Sequence, residues 1–203
     1  MAIGDIIRER RETLALSQDQ LAELVGVGGR RQINRWEKGE QDPTATNCRS
    51  LARVLGLSLP ELFGEIPIGL DLSGTWFAAW DTTRDGVMVV DRHKITAQHR
   101  GGTFVFTADG DYVWSGSLRI EDGCLMGTYL SAEADKMYRG TLYFEMAEDY
   151  SAVIGKWSGR WADGIVGGGW GALARDEDRA PALLEALKSH DGPLTEWPRE
   201  DPR

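Results

Sequence analysis

A chain of 203 residues, 41% of them hydrophobic, has material for one large packed domain or two small ones. Its formal net charge of −9 argues against a non-specific binder of polyanions. No apolar run approaches the roughly eighteen residues that a membrane span needs. The charged, amphipathic start differs from a signal peptide, and Cys48 and Cys124 lack metal-ligand spacing. A cytoplasmic protein with reduced thiols, no membrane contact and no cofactor is therefore expected.

Three textures follow one another: residues 1–66, 71–175 and 176–203. Residues 1–66 carry a net charge of −1, so any affinity for phosphate there must come from local clustering. Ser17-Gln18-Asp19-Gln20 and Ser58-Leu59-Pro60-Glu61 have the form of capping boxes, Thr44 is placed to cap a third helix, and Gly26 and Gly56 are stop signals. Helices are predicted at 3–14, 18–25, 30–37, 45–55 and 59–63, and Gly64 to Gly69 read as a linker punctuated by Pro67.

The order of motifs carries more than the helix count. Leu16-Ser17-Gln18-Asp19-Gln20-Leu21-Ala22, then Gly26-Val27, then Ile33-Asn34-Arg35-Trp36-Glu37-Lys38-Gly39, then Pro43-Thr44, Leu51-Ala52 and Leu55-Gly56 resemble the Cro/CI-type (XRE-family) helix-turn-helix repressors. The resemblance implies a double-stranded DNA operator as partner. One departure stands out: five residues, Gly28 to Gln32, separate Val27 from Ile33, one more than the common pattern has. Positive φ at the two glycines is expected to absorb the extra residue.

Ile33 and Trp36 share one face of the third helix and belong to the core. Arg30, Arg31, Gln32, Asn34 and Arg35 are left outward or at the helix start. Arginine pairs bidentately with guanine, and Gln or Asn with adenine. Some of the five are expected on phosphates instead, since about half of protein–DNA hydrogen bonds go to the backbone. Lys38 is a further phosphate candidate. By resemblance, Gln18 touches a phosphate and braces the recognition helix, and Arg11 pairs with Glu37 between the first and third helices.

Residues 71–175 repeat a Gly-x-bulky unit, as in Gly74-Thr75-Trp76, Gly116-Ser117-Leu118, Gly127-Thr128-Tyr129 and Gly155-Lys156-Trp157, at spacings of roughly 11–16 residues. Period two puts each glycine and its bulky partner on one face. Tyr112, Trp114, Gly116, Leu118 and Ile120 line one face of one strand, and Val113, Ser115, Ser117 and Arg119 the other. An eight-stranded antiparallel up-and-down β-barrel is predicted, with turns at Asp109-Gly110, Asp122-Gly123 and Asp163-Gly164. The pattern is similar to avidin and lipocalin barrels in architecture and short motifs.

Six tryptophans fall in this region: Trp76, Trp80, Trp114, Trp157, Trp161 and Trp170. Trp76, Trp114 and Trp157 are expected to line a cavity, or simply to pack the barrel. His93 and His99 read as surface residues, and no catalytic or metal motif is found. A helix near 180–189, with Ala182, Leu183, Ala186 and Leu187 apolar, is expected to dock on the barrel or a second subunit, with disorder beyond Gly192.

The fold class is thus multidomain, a five-helix helix-turn-helix domain followed by an all-β barrel. The leading function is a non-enzymatic, sequence-specific transcriptional regulator. It forms a homodimer, and its barrel senses a small-molecule effector or mediates dimerisation. The alternative is a defence or toxin–antitoxin component, with the barrel as an interaction module and the helical part serving autoregulation or partner contact.

Overall fold

The computed structural model describes residues 2–84, 86–110, 113–131, 138–160, 166–190, 194 and 196–198. Contacts divide the chain into two compact units, Met1–Leu70 and Asp71–Arg203. No helix among the described residues is long and apolar enough to cross a membrane.

The first unit holds α1 (Ile3–Thr13), α2 (Gln18–Val25), α3 (Arg30–Glu37), α4 (Ala45–Leu55) and α5 (Leu59–Leu62). Short-range hydrogen bonds set these boundaries. Ser17 Oγ accepts from the Gln20 amide while Gln20 Oε1 accepts from the Ser17 amide, and Ser58 and Glu61 repeat the arrangement. Thr44 Oγ1 accepts from the Asn47 amide to open α4. Gly26 and Gly56 close α2 and α4 in the left-handed region. Ile6, Ile7, Leu21, Ile33, Trp36, Leu51 and Leu55 fill the core between the helices. Gly4 permits a close approach: a Cβ there would lie 2.3 Å from the Trp36 carbonyl oxygen, so α1 rests against the end of α3 only because position 4 has no side chain.

The extra turn residue is absorbed differently from the expectation. Gly29 takes φ +98° and Gly28 does not enter the positive region. The Gly29 amide instead bonds back to the Val27 carbonyl at 2.8 Å, tightening the turn within three residues.

The second unit holds β1 (Gly74–Arg84), β2 (Val87–Arg100), β3 (Thr103–Asp109), β4 (Trp114–Glu121), β5 (Cys124–Ser131), β6 (Arg139–Met146), β7 (Ala152–Arg160), β8 (Val166–Ala174) and α6 (Arg179–Lys188). Each strand pairs with the next, and β1 pairs with β8, so the sheet closes into a barrel. Closure removes the exposed edges of an open sheet. In β4 the residues Trp114, Gly116, Leu118 and Ile120 are buried, and Ser115, Ser117 and Arg119 face out. Asp122 and Gly123 both have positive φ and make the tight β4–β5 hairpin. Asp109-Gly110 does not do the same: residues 110–113 separate β3 from β4. Asp163-Gly164, Tyr112 and Trp161 lie outside the described residues.

The inner glycines seat rings from neighbouring strands. Gly116 faces Phe106 on β3, and a Cβ there would lie 2.5 Å from the Phe106 ring. Gly171 faces Trp80 across the β1–β8 closure, where a Cβ would lie 2.4 Å from the indole. Tight ring packing at those positions therefore requires glycine.

Helix α6 buries Ala180, Leu183, Leu184 and Leu187 on the barrel's outer surface, against Ala79, Ala152, Ile154, Ala172 and Ala174. Small residues on β1, β7 and β8 let the helix come close, and each buried leucine contributes about 1.5–3 kcal/mol. The buried stripe is thus rotated from the expected 182/183/186/187 set, because Ala180 and Leu184 complete the i, i+3, i+4, i+7 face. Leu194 and Trp197 pack on the same cluster, in a stretch whose composition predicts disorder.

Candidate functional site

Helix α3 presents two faces of opposite character. Ile33 and Trp36 are 0% and 1% exposed. Arg30, Arg31, Arg35 and Lys38 are exposed, while Gln32 and Asn34 are half-buried. Positions 31, 34, 35 and 38 follow i, i+3, i+4, i+7, so Arg31, Asn34, Arg35 and Lys38 form one polar stripe. Among the described residues, none of the four cations makes an intramolecular ion pair. Gln32 Nε2 donates to Gln41 Oε1 at 3.2 Å, which ties the helix start to the loop before α4.

The start of α3 is also electrostatically unfavourable on its own. Gly29 supplies no side-chain cap, no acid occupies the first turn, and Arg30 and Arg31 sit at the positive end of the helix dipole. Helices α2, α4 and α5 each have a hydroxyl cap.

What holds α3 in place is a buried polar cluster. Arg11 Nε donates to Glu37 Oε1 at 2.6 Å and its Nη2 to Glu37 Oε2 at 3.2 Å. Arg11 Nη1 also donates to the Leu16 carbonyl. Gln18 Nε2 donates to Glu37 Oε2 at 2.9 Å, so α1, α2 and α3 meet at one carboxylate whose side chain is only 4% exposed. The hydrogen bond to Glu37 raises the Arg11 pKa, against the desolvation that opposes it. Gln18 and Arg11 therefore do stand where bracing of the recognition helix requires them.

Inside the barrel lies a cavity of about 180 Å³. Trp80, Trp114, Tyr129, Leu142 and Trp157 form its apolar wall, and Thr82, Asp91, His93, Tyr138 and Arg160 add polar groups. Trp114 is the hub of the wall, in edge-on contact with Trp80, Phe106, His93 and Tyr129 at centroid distances of 5.2–5.7 Å. Trp157 is fixed by its indole N–H, which donates to the Asp81 carbonyl at 2.9 Å. Burial pushes the Tyr129 phenol up to about 12, so it remains protonated.

Of the three tryptophans expected at a cavity, Trp114 and Trp157 stand in this wall. Trp76 lies nearer the start of β1, packs edge-on against Phe104 and donates its indole N–H to the Leu72 carbonyl. Trp80 holds the place expected for Trp76, two strand repeats further along the same face. The signal for it is the run Trp76-x-Ala78-x-Trp80.

The histidines are also placed differently from the expectation. His93 is 7% exposed and faces inward against Trp114, while His99 is partly buried and its Nδ1 accepts from the Leu72 amide. Both stand on the inner face of β2, opposite Ala78 and Phe104 respectively, so even spacing gives the shared face but not its side. No group of three or more His, Cys, Asp or Glu residues is disposed to hold a metal among the described residues. Cys48 and Cys124 are free and buried, and burial pushes both thiols up.

Comparison with known proteins places the helical unit. The HTH_3 helix-turn-helix family model matches residues 7–62. An uncharacterized HTH-type transcriptional regulator of Methanothermobacter thermautotrophicus is 45% identical over 51 residues, covering 25% of this chain and 72% of the relative. The P22 c2 repressor, solved in complex with a synthetic operator, is 33% identical over 31% of this chain and 94% of that one, with a TM-score of 0.30. A hydroxypropylphosphonic acid epoxidase from S. wedmorenis covers 84% of this chain and 95% of that one at 16% identity and a TM-score of 0.32, a likeness too slight to bear on the barrel. Through its first unit, the chain belongs to the HTH_3 helix-turn-helix family, the XRE-type DNA-binding transcriptional regulators.

Proposed function

We propose that this protein reads a double-stranded DNA operator with α3, assembles as a homodimer on two half-sites, and holds a small effector in its barrel. The observation that carries the reading is the stripe of Arg31, Asn34, Arg35 and Lys38, without ion-pair partners among the described residues, on a helix whose other face is locked into the core. Arg31, Asn34 and Arg35 are assigned to base edges, with Arg30 and Gln32 at the groove entrance. Lys38 and Gln18 are assigned to phosphates, Gln18 while its amide nitrogen stays on Glu37. A phosphate near the start of α3 would also offset the repulsion between its two arginines and the helix dipole.

In this reading residues 1–66 serve DNA, residues 71–175 serve effector and dimer contact, and residues 176–203 form a tail whose helix α6 packs on the barrel. The apolar face of α6 is already buried on the barrel, which removes it as a dimer surface. The exposed Val105, Met126, Leu130 and Tyr143 on β3, β5 and β6 are the better candidates. No catalytic role is part of the reading, in keeping with relatives named as transcriptional regulators.

One recognition helix reads only a few base pairs, which is why two half-sites are invoked, with centres about 34–36 Å apart. The test is binding of the full chain to a selected operator and to a scrambled duplex, with sedimentation to count chains. Two chains per operator and a clear preference for it are expected. A monomer that occupies a single half-site, or equal binding to both duplexes, contradicts the proposal.

A further inference from the structure

We infer that the barrel cavity takes a single-ring aromatic molecule bearing one anionic group, with its ring among Trp80, Trp114 and Trp157 and its anion at the rim on Arg160. This rests on the effector-holding reading above and gives that effector a chemical class.

Size comes first. The cavity of about 180 Å³ is well below the 300 Å³ or so at which pockets for drug-sized ligands begin. It is close to the roughly 150 Å³ apolar cavity that accepts benzene. A single ring is therefore the smallest aromatic guest that the wall can contact on several sides at once. The wall has the matching chemistry: indoles and the Tyr129 ring favour edge-on and offset contacts with an aromatic guest. Trp114 and Trp157 are held in fixed orientations by the contacts already described, so little side-chain freedom is lost on binding.

Charge decides the head group. Arg160 lines the cavity and ends β7 directly opposite Arg139 on β6. Both are exposed, and neither has an ion pair among the described residues. Like charges directly opposite each other on neighbouring strands destabilise a sheet. A carboxylate at the rim matches the guanidinium fork of Arg160 and offsets its charge. Asp91 lines the same cavity from β2, opposite Trp80. The one guanidinium of Arg160 at the rim matches one anionic group on the guest.

The experiment titrates phenylacetate, phenethylamine, benzyl alcohol and acetate into the full chain, by calorimetry and by tryptophan fluorescence. Phenylacetate is expected to bind and to change the fluorescence, at least about tenfold more tightly than phenethylamine or acetate. Arg160→Gln, at an exposed rim position where folding is undisturbed, is expected to weaken phenylacetate by about tenfold or more and to leave benzyl alcohol unchanged. Unaltered phenylacetate affinity in Arg160→Gln overturns the assignment of the anion to Arg160. Tighter binding of phenethylamine, lost in Asp91→Asn, overturns the anionic class while leaving the cavity as an effector site. If no ring compound binds, both the class and the effector reading fall.

Discussion

In the helical unit the functional side chains of α3 turn away from the core, whereas in the barrel the candidate site lies inside the sheet and shares its residues with the core. Arg31 and Arg35 are exposed and make no ion pair among the described residues. Trp114 is 6% exposed and is at once cavity wall and packing hub. Recognition and stability should thus separate cleanly under mutation in the first unit and stay coupled in the second. The exception in the first unit is the Arg11–Glu37–Gln18 cluster, which contributes to recognition only by holding α3 in position.

Substitutions test that contrast. Trp114→Ala should have the largest effect, about 3–5 kcal/mol of stability, because it removes a large buried ring from the centre of the aromatic cluster. Denaturant unfolding followed by circular dichroism measures it, and a loss under about 1 kcal/mol would mean that wall and core are separable after all. Arg11→Met should cost about 3 kcal/mol by stranding the buried Glu37 carboxylate with only Gln18 beside it. Adding Glu37→Leu should recover much of that loss, since an apolar pair of similar volume often matches a buried ion pair. Gly4→Ala comes next, at about 1–3 kcal/mol, because its methyl meets the Trp36 carbonyl and must push α1 from α3. Wild-type stability in that variant would show that the two helices have room to part. Lys38→Ala should leave stability unchanged and reduce the salt slope of DNA binding by about one, equally for all sequences.

Local chemistry explains what can be read in advance. Ser17, Thr44, Ser58, Gly26 and Gly56 act within a few residues, so helix boundaries follow from the sequence almost to the residue. The Arg11–Glu37 pair is non-local and is accessible only through the family resemblance. In the barrel, period-two alternation and regular glycine spacing are enough for eight strands in consecutive order. They are not enough for the cavity. Whether Trp76 or Trp80 borders it depends on where along the barrel each ring falls, and that is fixed by the register of β1 against both β2 and β8. The inward turn of His93 and the placing of Asp91 and Arg160 along one cavity depend on the same closure, which joins residues far apart in the chain.

The central claim is that α3 reads bases with its outward arginines, and the ratio of specific to non-specific affinity in Arg35→Ala tests it most directly. Full-length wild type and variant are titrated with a selected operator and a scrambled duplex at one fixed salt concentration, with thermal unfolding measured alongside. The expected result is an unchanged unfolding temperature, a loss of about 1–3 kcal/mol on the operator and a much smaller loss on the scrambled duplex. Equal losses on the two duplexes, or none on either, would contradict the claim.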